Sequence, residues 1–189
     1  MVFVVSLSRL LLRRREQLLR RKHHELLNDS YYELHKNRLN NIFINHAINA
    51  ADNSDGGPFG AIITKNDNII SIGNNKVTVL NDPTAHAEIV AIREACKELN
   101  TFNLQDCTLY TSCEPCPMCL SAIYWSRINT VYYANTRHDA ADIGFDDNEI
   151  YKEFEKSNKD KNINLIHLNN TSALNTFKRW KNNVNKISY

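Results

Sequence analysis

The 189-residue chain has no long apolar run, little net charge and few chain breakers. Five glycines and four prolines leave no Pro/Gly-rich linker, and no segment repeats, so the chain is not a modular array. The most apolar stretch, Val2–Leu12, is interrupted by Ser6, Ser8 and Arg9 and is shorter than the roughly 20 apolar residues that cross a bilayer. Its basic residues follow the apolar run, the reverse of a secretory signal. The net charge of +2 is uneven: residues 1–38 carry nine Lys/Arg against four acids, while the whole chain has 23 and 21. The remainder is therefore slightly acidic and shows no basic patch of the kind that grips a nucleic-acid backbone.

Disulfides are also missing from the pattern. The cysteines are Cys96, Cys107, Cys113, Cys116 and Cys119, an odd number with three in one cluster, which is no secreted disulfide framework. Cysteines so close together, in a chain that also holds a histidine motif, suit a metal site in a reducing compartment, and the expected location is cytoplasmic. Residues 1–30 are Arg-rich and acid-poor. They read as a basic, poorly ordered N-terminal extension, with an organelle transit peptide as the second reading. Residues 31–189 are expected to form one domain, which at this length buries a core without staples.

That body alternates helical and extended segments. Leu39, Ile42, Phe43, His46, Ala47 and Ala50 recur at helical spacing, which predicts a helix from Tyr32 to about Asn53. The run Gly56-Gly57-Pro58-Phe59-Gly60 stops it. Ala61–Lys65 and Ile69–Gly73 read as a strand pair around Asn66-Asp67-Asn68. Asp82-Pro83-Thr84 is a helix-start signal, and Ala85 to Leu99 the helix that follows. Strands are expected at Cys107–Thr111, Thr130–Ala134 and Asn164–Leu168, and helices at Met118–Ser126 and Ser172–Asn183. The alternation implies an α/β layered domain with part of its sheet parallel.

The chemistry sits in His86-Ala87-Glu88 and Pro115-Cys116-Pro117-Met118-Cys119. Zinc takes nitrogen and sulfur ligands in a tetrahedron, and a catalytic zinc keeps one position open for water. Cys116 and Cys119 stand three apart at a helix start, so both thiolates can face one side, and the helix N-terminus favours the thiolate form. With His86 they make three ligands. Glu88, two residues past His86, can exchange protons with water and substrate. Cys113 offers a competing reading: four ligands would close the site and make the zinc structural, in a non-catalytic binding module, but would leave Glu88 without a role. Cys96, Cys107, His46, Trp125 and Trp180 read as packing residues.

A histidine–x–glutamate with a downstream proline–cysteine–x–x–cysteine is the signature of zinc deaminases. The runs Asn81–Glu88 and Tyr110–Cys119, with Asp139-Ala140-Ala141, Gly144-Phe145-Asp146-Asp147 and Ile150–Glu153, closely resemble the bacterial-type guanine deaminases of the cytidine-deaminase fold. The likeness runs over about residues 38–189. It implies a three-layer α/β fold with a central five-stranded mixed sheet flanked by helices. It implies zinc-dependent hydrolysis of guanine to xanthine and ammonia, with His86, Cys116 and Cys119 on the metal and Glu88 catalytic. Asn75 would bind the purine carbonyl, Asp147 the donor edge of the base, and Phe59 would pack on the ring. It also implies a homodimer that exchanges C-terminal segments, so that Tyr189, the last residue, enters the partner's site. Lys76 stands where the family often has a second asparagine, and Arg137-His138 replaces a variable stretch. Guanosine, another nucleobase or nucleoside, and tRNA adenosine are the alternative substrates, because the metal motif is common to all these deaminases.

Overall fold

In the computed structural model the described residues are 22, 29–145 and 147–188. The expected N-terminal extension falls almost wholly outside them, as do Asp146 and Tyr189. The chain divides into two compact units, Met1–Ile42 and Phe43–Tyr189. In the first, the described part of helix α1 begins at residue 29; the helix ends at residue 52, within the second.

The second unit is built on a mixed sheet of order β2-β1-β3-β4. Strand β1 (Gly60–Lys65) pairs antiparallel with β2 (Asn68–Asn74) and with β3 (Thr108–Cys113), and β3 pairs parallel with β4 (Thr130–Asn135). The β1–β2 hairpin turns at Asn66 and Asp67, both at positive φ, the backbone that two-residue hairpin turns demand and that Asn and Asp tolerate. The parallel pair is connected through α4 (Pro117–Trp125), as parallel neighbours require a crossover. The remaining helices are α2 (Val77–Leu80), α3 (Ala87–Glu98), α5 (Arg137–Asp142), α6 (Asp147–Glu155) and α7 (Thr171–Lys181).

Two glycines set the layers. Gly60 faces the backbone of Ala47, Ala50 and Ala51 on α1, where a Cβ would lie 2.2 Å from the Ala47 carbonyl oxygen. Gly73 faces α3, where a Cβ would lie 2.3 Å from the Ala87 oxygen and 2.6 Å from the Ala91 nitrogen. Gly60 is registered with Asn74 and Gly73 with Ala61. Successive residues of a strand point to opposite faces, so α1 and α3 cover opposite faces of the sheet. On α1 the buried stripe is Phe43, Ala47, Ala50 and Ala51; Phe43 packs on Tyr110, ring centroids 5.2 Å apart. The main core joins Ala61, Ile63, Ala91, Ile92, Leu104, Leu109 and Ile123. Ser71 Oγ donates to the Ala91 carbonyl at 2.8 Å, a further tie between β2 and α3.

Three expectations are corrected. The sheet has four strands among the described residues, not five: Asn164–Leu168 is irregular, with Ile166 79 % and Leu168 80 % exposed. Among the described residues no ladder joins them to the outer strands, β2 and β4. His46 is exposed because it falls off the α1 stripe. Trp125 and Trp180 are 62 % and 51 % exposed rather than core, since both lie on outward faces of their helices.

Candidate active site

The chemistry-bearing residues converge at the N-termini of two helices. His86 is the N-cap of α3, with extended backbone (φ −67°, ψ 156°). Cys116 is the N-cap of α4, followed by Pro117 in the first turn, where a proline lacks nothing the helix needs. Cys119, one turn on, donates its backbone N–H to the Cys116 sulfur at 3.5 Å. The His86 Nδ1 lies 3.5 Å from Cys116 Sγ and 3.6 Å from Cys119 Sγ. All three ligand atoms lie within 4.8 Å of one another. Zn–N of about 2.0 Å and Zn–S of about 2.3 Å in a tetrahedron put ligand atoms roughly 3.6 Å apart, so the donor set and its spacing fit zinc.

Without metal, Cys116 and Cys119 share a proton. Cys116 falls to about 4, held as a thiolate first by the Cys119 thiol and then by His86. Cys119 is pushed up by that thiolate and by burial. The hydrogen bond to Cys116 raises His86 in turn.

Cys113 stands apart from this cluster. Its buried thiol donates to the Thr136 carbonyl at 3.5 Å and is raised to about 11, chiefly by burial. The metal-ligand group among the described residues is therefore three-membered, which favours an open, catalytic geometry over a closed structural one. Cys107 is buried and Cys96 partly so, as core residues.

Glu88 lies in the first turn of α3 and is only 6 % exposed. Its Oε1 accepts from the Thr111 hydroxyl at 3.2 Å, and its Oε2 lies 3.4 Å from Cys119 Sγ. Burial raises its pKa above the ordinary glutamate value.

A cavity of 270 Å³ opens onto these groups, lined by Gly56, Phe59, Asn75, Val77, Thr78, His86, Glu88, Cys113, Glu114, Cys116, Phe145 and Asp147. Asn75, Asp147 and Phe59 thus share one cavity with His86, Cys116 and Glu88. The Asn75 Oδ1 accepts from the Val77 N–H at 3.0 Å. That bond orients the carboxamide and leaves its NH₂ as the donating end. Phe59 meets Phe145 edge-on, centroids 4.8 Å apart. Tyr189 is outside the described residues. Lys76 does not line the cavity; its backbone N–H donates to the Ala85 carbonyl. Arg137 acts one layer out: its guanidinium pairs with Glu114 at 3.6 Å and lies over the Tyr151 ring, while the Tyr151 hydroxyl donates to the Pro115 carbonyl. The cluster braces the Cys113–Cys116 turn from outside.

Val77, Thr78 and Glu114 are cavity residues that spacing did not reveal. Phe145 was visible only as part of the Gly-Phe-Asp-Asp run. Thr111 carries a weak signal, a hydroxyl within an otherwise buried strand.

Residues 37–135 match the cytidine and deoxycytidylate deaminase zinc-binding region. The chain belongs to this deaminase family. Guanine deaminase of Bacillus subtilis (strain 168) is 54 % identical over 134 residues, which are 71 % of this chain and 86 % of the relative. The X-ray structure of guanine deaminase from Bacillus subtilis superposes with a TM-score of 0.76 at 50 % identity, covering 79 % of this chain and 98 % of that one. The tRNA-specific adenosine deaminase of Aquifex aeolicus is 53 % identical over 77 residues, 41 % of this chain and 51 % of its own. The deaminase resemblance of the motifs is borne out, and with it a zinc-dependent hydrolytic enzyme.

Proposed function

We propose that the protein hydrolyses guanine to xanthine and ammonia in purine catabolism or salvage. The reading is carried by the meeting of Asn75 and Asp147 with the His86–Cys116–Cys119 triad and Glu88. A donating amide and a carboxylate in one small cavity complement a base that presents a carbonyl oxygen beside N–H donors. The volume lies at the small end of ligand pockets, which suits a single heterocycle. Similarity to guanine deaminase through most of the chain supports the same substrate.

His86, Cys116 and Cys119 would hold the zinc. When bound, zinc supplies a Lewis acid that brings the pKa of water near 7. Glu88 takes the proton of the attacking water, then returns protons to the ring nitrogen and to the departing amine. Asn75 orients the base through its carbonyl, Asp147 receives the donor edge, and Phe59 with Phe145 forms an apolar wall against the ring. The atoms balance as guanine plus water giving xanthine plus ammonia.

The protein works as a homodimer with exchanged C-terminal segments, bringing Tyr189 to the partner's site. In the single chain Ile166, Leu168 and Val184 are all at least 79 % exposed. Apolar side chains left so open along one segment favour docking on a second copy. Light scattering at micromolar concentration should return twice the 21.8 kDa chain mass; a monomer would reject this part.

The catalytic domain spans residues 31–189, with residues 1–30 as an extension, and the protein acts in the cytoplasm. Among the described residues, no helix is long and apolar enough to cross a membrane. The test of function is ammonia release by zinc-loaded protein from guanine, guanosine, cytosine, adenine and adenosine. Guanine should be the substrate. Guanine left untouched while guanosine is consumed would replace the base by its nucleoside.

A further inference from the structure

Strand β3 runs through the interior of the sheet, and Leu109 to Cys113 are all buried. Thr111 retains 1 % exposure. A hydroxyl at such a place costs free energy unless it is bonded, and valine would fill the same volume with equal strand preference. The feature that separates threonine from valine here is the hydroxyl bond to Glu88 Oε1, 3.2 Å long and reaching from the sheet to the first turn of α3.

The two oxygens of Glu88 therefore have different surroundings. Oε1 is anchored to the sheet, and Oε2 lies on the side of Cys119, toward the metal ligands. The last torsion of a glutamate is soft and roughly two-fold, so an unanchored carboxyl would sweep through several orientations. A hydroxyl donates to an ionised carboxylate and accepts from a protonated one; the anchor therefore persists through a proton-transfer cycle.

We propose that Thr111 is a positioning residue for the deamination: its hydroxyl pins Glu88 Oε1 and so makes Oε2 the oxygen that exchanges protons with water and substrate. The inference rests on the reading of Glu88 as the proton carrier. It concerns orientation, so it acts on the chemical step and not on capture of the base.

Thr111→Val and Thr111→Ser, both zinc-loaded, test it. In the valine variant kcat should fall roughly 10- to 150-fold, the worth of a hydrogen bond to a charged group, with KM and zinc stoichiometry unchanged. The serine variant should recover most of the loss. An unchanged kcat in the valine variant, loss of its zinc, or a serine variant as slow as valine at equal thermal stability would each overturn the proposal. Crystal structures of the variants read it without turnover. The Glu88 carboxyl should leave the side of Cys119 in the valine variant and return in the serine variant, and an unmoved carboxyl would overturn the proposal. If wild-type protein spares guanine but deaminates another member of the substrate panel, the same series on that substrate judges Thr111, while the guanine reading alone falls.

Discussion

Replacing Glu88 by glutamine separates the chemistry from the scaffold. The two side chains have the same shape, and the glutamine oxygen can still accept from Thr111, now 3.2 Å from Oε1. Zinc should therefore stay bound through His86, Cys116 and Cys119. What is lost is proton transfer, worth about 10²- to 10⁴-fold in rate, or roughly 3–5 kcal/mol of barrier. Stability should move the other way. Burial holds the Glu88 pKa above its ordinary value, so in metal-free protein the folded state binds this proton more tightly than the unfolded state. Wild-type stability then falls as pH rises past the unfolded glutamate value of about 4.3 toward the raised folded value. The glutamine variant has no such term, so its melting temperature should exceed wild type at neutral pH, and the two should converge toward pH 4. Ammonia release, zinc analysis by mass spectrometry and thermal scans of the metal-free forms read the three quantities. A variant that keeps wild-type turnover, or melts lower than wild type at pH 7, would refute the reasoning.

Three other outcomes follow from the geometry. Zinc uptake by the metal-free protein at pH 7 should release about one to two protons, because Cys116 is already a thiolate while Cys119 keeps its proton and the hydrogen bond to Cys116 favours a proton on His86. Calorimetry in buffers of different ionisation enthalpy counts them, affinity should weaken as pH falls through the raised His86 value, and release of no proton would contradict the shared-proton pair. Cys113→Ala should keep one zinc per chain, since its thiol bonds Thr136 and not the metal cluster; zinc loss at retained fold would restore the four-ligand reading. Gly73→Ala should cost about 1–3 kcal/mol as overpacking, because the new methyl meets backbone atoms of Ala87 and Ala91. Chemical denaturation measures the loss, and wild-type stability would show that β2 and α3 separate freely.

The metal triad was legible because its constraints are local. Cys116 and Cys119 share one turn of α4, so their spacing put both thiols on one side of a helix start, and Glu88 follows His86 within two residues at the start of α3. The hairpin was legible for the same reason: Asn66 and Asp67 carry the turn in their own backbone preferences. What failed depended on partners distant in sequence or absent from the chain. Asn164–Leu168 has the composition of a strand, but composition supplies no ladder partner, and none of the four described strands pairs with it. Trp125 reads as core by type, yet the outward face of α4 leaves it open. Cavity residues such as Val77 and Thr78, at the start of α2, and Glu114, just past β3, come from separate segments, and no period within one segment could reveal their meeting. Asn75, Asp147 and Phe59 were placed by resemblance, which carries such long-range information where periodicity does not.

The architecture assigns reactivity and selectivity to different parts of the chain. His86, Glu88, Cys116 and Cys119 stand on α3 and α4, and α3 is held against the sheet by the Gly73 contact and the Ser71 bond. Cavity walls come instead from Gly56, Phe59, Asn75, Val77, Thr78, Phe145 and Asp147. The backbone of Gly57 and Gly144 is at positive φ there, a conformation that glycine adopts without strain. A rigid shelf for metal and proton carrier, with walls on loops and on the starts of α2 and α6, lets substrate choice change while the reactive group stays in place. It follows that the metal motif cannot name the base. Exchanging the Asn75–Thr78 and Phe145–Asp147 segments for those of another deaminase should alter the substrate ranking with zinc affinity unchanged. Bracing by Arg137, Glu114 and Tyr151 marks where the separation ends, since it links α5 and α6 to the turn that carries Cys116. Changes there should disturb substrate choice and metal retention together.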